Sequence, residues 1–86
     1  MPLSLPAHVT AVDTDDGAMV LLDERTGKYR QLNPSGALIL RLLLQGAPAQ
    51  TAAAALAQRY PQAHADVDAD VARFIKALRQ TGLLRD

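Results

Sequence analysis

The stretch Leu21 to Ile39, "LLDERTGKYRQLNPSGALI", holds the one change of period in the chain. Before Asn33 the apolar residues come in short runs, "VTAV" and "AMVLL". These are split by the turn-rich "DTDDG" and "DERTG", where Gly17 and Gly27 suit a positive φ. That pattern predicts a three-stranded antiparallel meander with strands near residues 8–13, 18–23 and 28–32. After Asn33 the apolar residues recur at helical spacing. Asn33 suits an N-cap, whose side chain accepts a backbone N–H, and Pro34 suits the first helical position, where its missing donor costs nothing.

The rest of the chain follows from that junction. Helix one runs to about Gln45 with Gly46 as a left-handed stop. Its "GALILRLLLQG" is apolar enough to suggest a membrane, but Leu38, Ile39, Leu42 and Leu43 already form a core stripe, and Arg41 interrupts the run far short of the roughly 18 residues a span requires. Helix two follows Pro48 through the alanine-rich "AQTAAAALAQRY" and ends before Pro61. Helix three carries Val67, Val71, Phe74, Ile75 and Leu78 as one stripe, and Gly82 followed by Leu83 fits a Schellman ending. The predicted fold class is α+β: three strands, then three helices covering one face of the sheet, in one domain over residues 1–86.

Composition narrows the function. A chain of 86 residues is near the lower limit for folding alone and buries only about 60 to 65% of its extended surface. Nine basic and nine acidic side chains balance, so no net field gathers phosphate polymers or anionic lipid. With no cysteine there is no disulfide, thiol nucleophile or thiolate metal site. The opening "MPLSLPAHV" lacks the features of a secretory signal, and the expected location is the cytoplasm.

Individual chemistry-bearing residues have structural explanations. "DVDAD", Asp66 to Asp70, begins like a calcium loop, but Val71 and Ala77 stand where glycine and a bidentate glutamate belong. These acids read instead as partners of the positive end of helix three. His8 and His64 lack neighbours at ligand spacing and read as surface histidines. Ser4 and Ser35 lack a nucleophile elbow, so no set of nucleophile, base and orienting group is present, and no enzyme activity, metal or cofactor is expected.

The hairpin-to-helix segment also resembles the signature of the PqqD family. The matching residues are Leu22, Asp23, Gly27, Tyr29, Leu32, Asn33 and Gly36, followed by Arg59 and Tyr60, by Asp70, Val71, Phe74 and Leu78, and by "GLL" at Gly82 to Leu84. Leu40 and Arg41 depart from it, standing where many members have a tryptophan. The resemblance implies a winged helix-turn-helix-like RiPP recognition element, which does no chemistry but binds the leader segment of a ribosomally made precursor peptide. A free-standing domain of this kind resembles those of lasso-peptide biosynthesis. The implied partners there are the precursor, a cysteine protease acting as leader peptidase, and an asparagine-synthetase-like cyclase. Pyrroloquinoline quinone and radical-SAM peptide pathways are the alternative settings.

An unpaired edge strand is itself a template for an extended peptide. The expected site is therefore the third strand, Lys28, Tyr29, Arg30, Gln31 and Leu32, facing a wall on helix three made by Val67, Val71, Phe74, Ala77 and Leu78. Asp70 and Arg73 supply the polar rim. Each buried anchor side chain contributes roughly 1.5 to 3 kcal/mol, which permits micromolar to nanomolar binding after entropy costs. Phe74→Ala or Val71→Asp is expected to abolish binding and spare helicity. The rival functions are a winged-helix DNA binder, disfavoured by the balanced charge and acids on helix three, and an adaptor or edge-to-edge dimer. The expected state is a monomer or weak dimer with no nucleic-acid or membrane partner.

Overall fold

The computed structural model describes residues 3–60 and 67–85. Strands β1 (Val9–Asp13), β2 (Met19–Asp23) and β3 (Tyr29–Leu32) precede helices α1 (Pro34–Leu44), α2 (Ala49–Arg59) and α3 (Val67–Gln80). The sheet is antiparallel with spatial order β1-β2-β3, so β3 lies at one edge. Pro61, His64 and Asp66, on which expectations were placed, lie outside the described residues.

Local signals act as their chemistry demands. Asn33 Oδ1 accepts the Gly36 N–H at 2.9 Å and Pro34 opens α1, a cap whose loss costs about 1 kcal/mol. At the far end of α3 the Leu83 N–H donates to Leu78 O at 2.9 Å and the Gly82 N–H to Arg79 O at 3.1 Å. Gly82, at φ 78°, is the left-handed residue this Schellman pair requires. The N-terminal segment then pairs with the C-terminal one, Ser4 and Arg85 exchanging backbone hydrogen bonds of 2.7 and 2.9 Å.

Leu21, Leu40, Leu43, Leu78 and Val71 are the largest fully buried side chains, so the core lies between β2, α1 and α3, with α2 packed on both helices. The buried stripe of α1 differs from the expected one. Ala37, Leu40 and Leu43 line the core with Ile39, while Leu38 and Leu42 are only half-buried. Because almost every position of α1 is aliphatic, hydrophobicity alone does not select its inner face. Arg41 does, since its guanidinium reaches out to Asp13 Oδ1 at 2.7 Å and to Gly17 O at 3.4 Å, pinning α1 to β1 and the first turn. Among the described residues no helix is long and apolar enough to cross a membrane.

Candidate functional site

The ladder of β2 decides what β3 presents at its free edge. Asp23 N–H donates to Lys28 O at 2.8 Å, and Glu24 N–H donates to His8 O at 2.7 Å. Antiparallel pairs alternate, so the odd-numbered residues of β2 bond to β3 and the even-numbered ones to β1. Across from Leu21 and Met19, the backbones of Arg30 and Leu32 are thus committed to β2. The N–H and C=O groups of Tyr29 and Gln31 point outward, away from the sheet. Side chains alternate in the opposite sense: Arg30 and Leu32 share the face of buried Leu21 and Met19, while Tyr29 and Gln31 stand on the outer face. Tyr29 is accordingly 73% exposed.

Beside that edge lies an open cleft of about 660 Å³. Arg30, Gln31 and Leu32 form its strand side, Asn33 to Gly36 its end at the start of α1, and Ile39, Leu56, Tyr60, Asp70 and Phe74 the helical side. Three helix-bearing segments therefore contribute to one trough alongside an edge backbone that has no partner among the described residues. The floor is apolar and the rim is polar, the form expected of a site that accepts an extended peptide by main-chain pairing and side-chain insertion.

The turn that aims β3 is held by Asp23, which is only 6% exposed. Its Oδ1 accepts the backbone N–H of Arg25 at 2.9 Å and of Thr26 at 3.4 Å, and Gly27, at φ 76°, returns its N–H to Asp23 O at 2.8 Å. Burial works against the charge on Asp23. The two N–H donors, together with His8 and Arg25 nearby, outweigh it and hold the carboxyl below its ordinary value. Asp16, in the first turn, is likewise lowered, chiefly by the Thr14 hydroxyl and then by the Ala18 N–H. His8 is not the surface residue expected: it is half-buried, and its Nε2 is enclosed without a hydrogen-bond partner among the described residues.

Of the residues expected to form the site, the structure brings Arg30, Gln31, Leu32, Asp70 and Phe74 together around the cleft. Val71 and Leu78 are 1% and 0% exposed, so they support the wall from inside the core and offer it no surface. Val67 and Ala77 are half-buried and do not line the trough, nor do Lys28, which precedes β3, and Tyr29, which opens it. Arg73 also lies off the lining and ion-pairs with Asp70 one helical turn away. Ile39, Leu56, Tyr60 and the first turn of α1 were not anticipated as lining. Gly36 carried the available signal, because a Cβ there would lie 3.3 Å from Phe74 Cε1, closer than packing allows without movement.

Comparison with known proteins bears on this geometry. The family model described as coenzyme PQQ synthesis protein D (PqqD) matches residues 18–84. A solved structure described as lasso peptide synthetase B1 complexed with the leader peptide is 32% identical, with a TM-score of 0.86 over 100% of both chains. Another, TbiB1 in complex with the TbiA(beta) leader peptide, is 29% identical, with a TM-score of 0.80 over 94% of this chain and 93% of that one. Among curated proteins none matches.

Proposed function

The chain belongs to the PqqD family, and on that premise we propose that it is a peptide-binding protein of lasso-peptide biosynthesis, taking up the leader segment of a ribosomally synthesised precursor by strand addition at β3. Two solved relatives of the same fold hold leader peptides. The observation that carries the reading to this chain is the outward-facing backbone of Tyr29 and Gln31 beside an apolar trough. The leader's main chain pairs with those two residues. Its groove-facing side chains enter between Leu32 and Phe74, with Ile39 and Leu56 beneath.

In this role the protein binds and presents, and the bond-making belongs to its partners. A cysteine protease that removes the leader and an asparagine-synthetase-like cyclase are the processing enzymes that fit a lasso pathway. Main-chain pairing tolerates many sequences, so selectivity rests on the few side chains entering the trough. A leader anchored by two or three such groups binds tightly enough to be delivered and weakly enough to be released.

Amide hydrogen exchange tests the mode of binding directly. In the free protein the N–H groups of Tyr29 and Gln31 exchange readily, whereas Arg30 and Leu32 are protected by β2. A saturating lasso-precursor leader peptide is expected to protect Tyr29 and Gln31. Saturable binding that leaves both amides unprotected removes strand addition at β3, and no binding removes the function.

A further inference from the structure

The cleft carries a charge that its own residues do not neutralise. Arg30 is exposed and lines the trough, and among the described residues no carboxylate lies within ion-pair distance of it. The other charged lining residue, Asp70, is already paired with Arg73. Lys28, just before the strand, adds a second cation near the hairpin end. The whole chain has a formal net charge of zero, so this excess is local to the strand side of the cleft.

Position along the strand makes the excess specific. Arg30 and Leu32 are two residues apart on one face, roughly 6.5 to 7 Å along β3. An added strand repeats that spacing, and its residues beside Arg30 and Leu32 share their face whichever way the peptide runs. In an antiparallel addition these are the closely approaching pairs, because the outward hydrogen bonds belong to Tyr29 and Gln31. The side chain beside Leu32 meets the apolar floor of Ile39, Leu56 and Phe74, and the one beside Arg30 meets a guanidinium.

Resting on the strand-addition reading above, we infer that Arg30 is a specificity-determining residue: the cleft selects peptides bearing an acidic side chain two residues from the apolar anchor. Aspartate or glutamate there pairs with Arg30, and lysine or arginine meets like charge.

A displayed library of random octapeptides, selected against the wild-type protein, Arg30→Gln and Arg30→Glu, tests this. The Arg30 side chain makes no hydrogen bond among the described residues, so both variants are expected to fold. Wild type is expected to enrich Asp or Glu two positions from an enriched aliphatic or aromatic residue. Arg30→Gln keeps the apolar enrichment and loses the acid, and Arg30→Glu enriches Lys or Arg in its place. A selected peptide resynthesised with its acid changed to the amide weakens about two- to fivefold on wild type and not on Arg30→Gln. Apolar enrichment without an acid, or the same acid preference in Arg30→Glu, overturns the pairing alone. Enrichment of no sequence overturns peptide binding and the pairing together.

Discussion

Gly36 and Phe74 meet so closely that a side chain between them would have to push the ring aside: a Cβ on Gly36 would lie 3.3 Å from Phe74 Cε1 and 3.3 Å from the capping Asn33 Oδ1. The glycine lets the ring lean over the first turn of α1, and this contact closes one end of the trough. Alanine is worth up to about 1 kcal/mol over glycine in a helix, which offsets part of the crowding. Gly36→Ala is therefore expected to fold, with helical circular dichroism unchanged and a melting temperature within a few degrees of wild type. Its displaced Phe74 ring weakens leader binding about tenfold or more. Wild-type affinity in a fluorescence-anisotropy titration would show that the ring's position does not shape the site.

Phe74 and Val71 lie on the same helix, yet their substitutions separate function from stability. Phe74 is half-buried and lines the cleft, so Phe74→Ala removes trough surface at a stability cost of about 1 to 3 kcal/mol, less than for a fully buried ring. Leader binding falls at least tenfold while the cooperative melt persists. Val71 is 1% exposed, and Val71→Asp places a carboxylate in the core. That costs several kcal/mol against a total stability of about 5 to 15, so this variant is expected to lose its cooperative transition, and the expectation of spared helicity does not carry over to it. A urea titration followed by circular dichroism distinguishes the two.

The elements were readable from the sequence because their signals are local. Asn33 and Pro34 start α1, Gly82 and Leu83 end α3, and the alternation through "AMVLL" gives a strand whose neighbours are set by two short turns. The cleft was only half readable. A helical stripe identifies Val71, Phe74 and Leu78 as inward-facing, but which of them reaches a surface depends on where α1 and α2 pass, and that is set by packing between distant residues. Leu56 on α2 and Tyr60 just past its end enter the trough, and the alanine-rich sequence of that helix advertises only close packing. Likewise, Leu38 and Leu42 were indistinguishable from Leu40 until the Arg41 to Asp13 pair fixed the rotation of α1.

Acid is expected to weaken the fold through its two turns. Asp23 and Asp16 both have carboxyls held below their ordinary value of 3.8 in the fold. A lowered folded-state value means the contribution to stability is fully present above the unfolded value and is lost as pH falls through the folded one. Wild-type stability is thus expected to decline with pH below about 4, and Asp23→Asn, which cannot titrate, to be less stable at neutral pH with a shallower decline in acid. Urea midpoints measured from pH 7 down to 2 check this, and parallel curves for the two proteins would remove Asp23 as a contributor.

Gln31 allows main-chain pairing to be tested apart from side-chain recognition. Its side chain stands on the outer face and its N–H points away from β2, so Gln31→Ala should leave leader affinity within about twofold and the sheet intact. Gln31→Pro removes the outward donor and places a ring where the incoming strand must approach. Proline is tolerated at an edge when the lost N–H faces solvent, so the β2–β3 ladder survives. The net value of one main-chain hydrogen bond is about 0.5 to 1.5 kcal/mol, and with the added steric conflict binding is expected to fall by about tenfold or more. The same substitution in the opposite edge strand, Ala11→Pro, serves as control, since the Ala11 backbone also points away from β2 while lying far from the trough. Equal loss in both variants would mean that proline acts by unsettling the sheet. Loss confined to Gln31→Pro assigns the leader's main chain to β3.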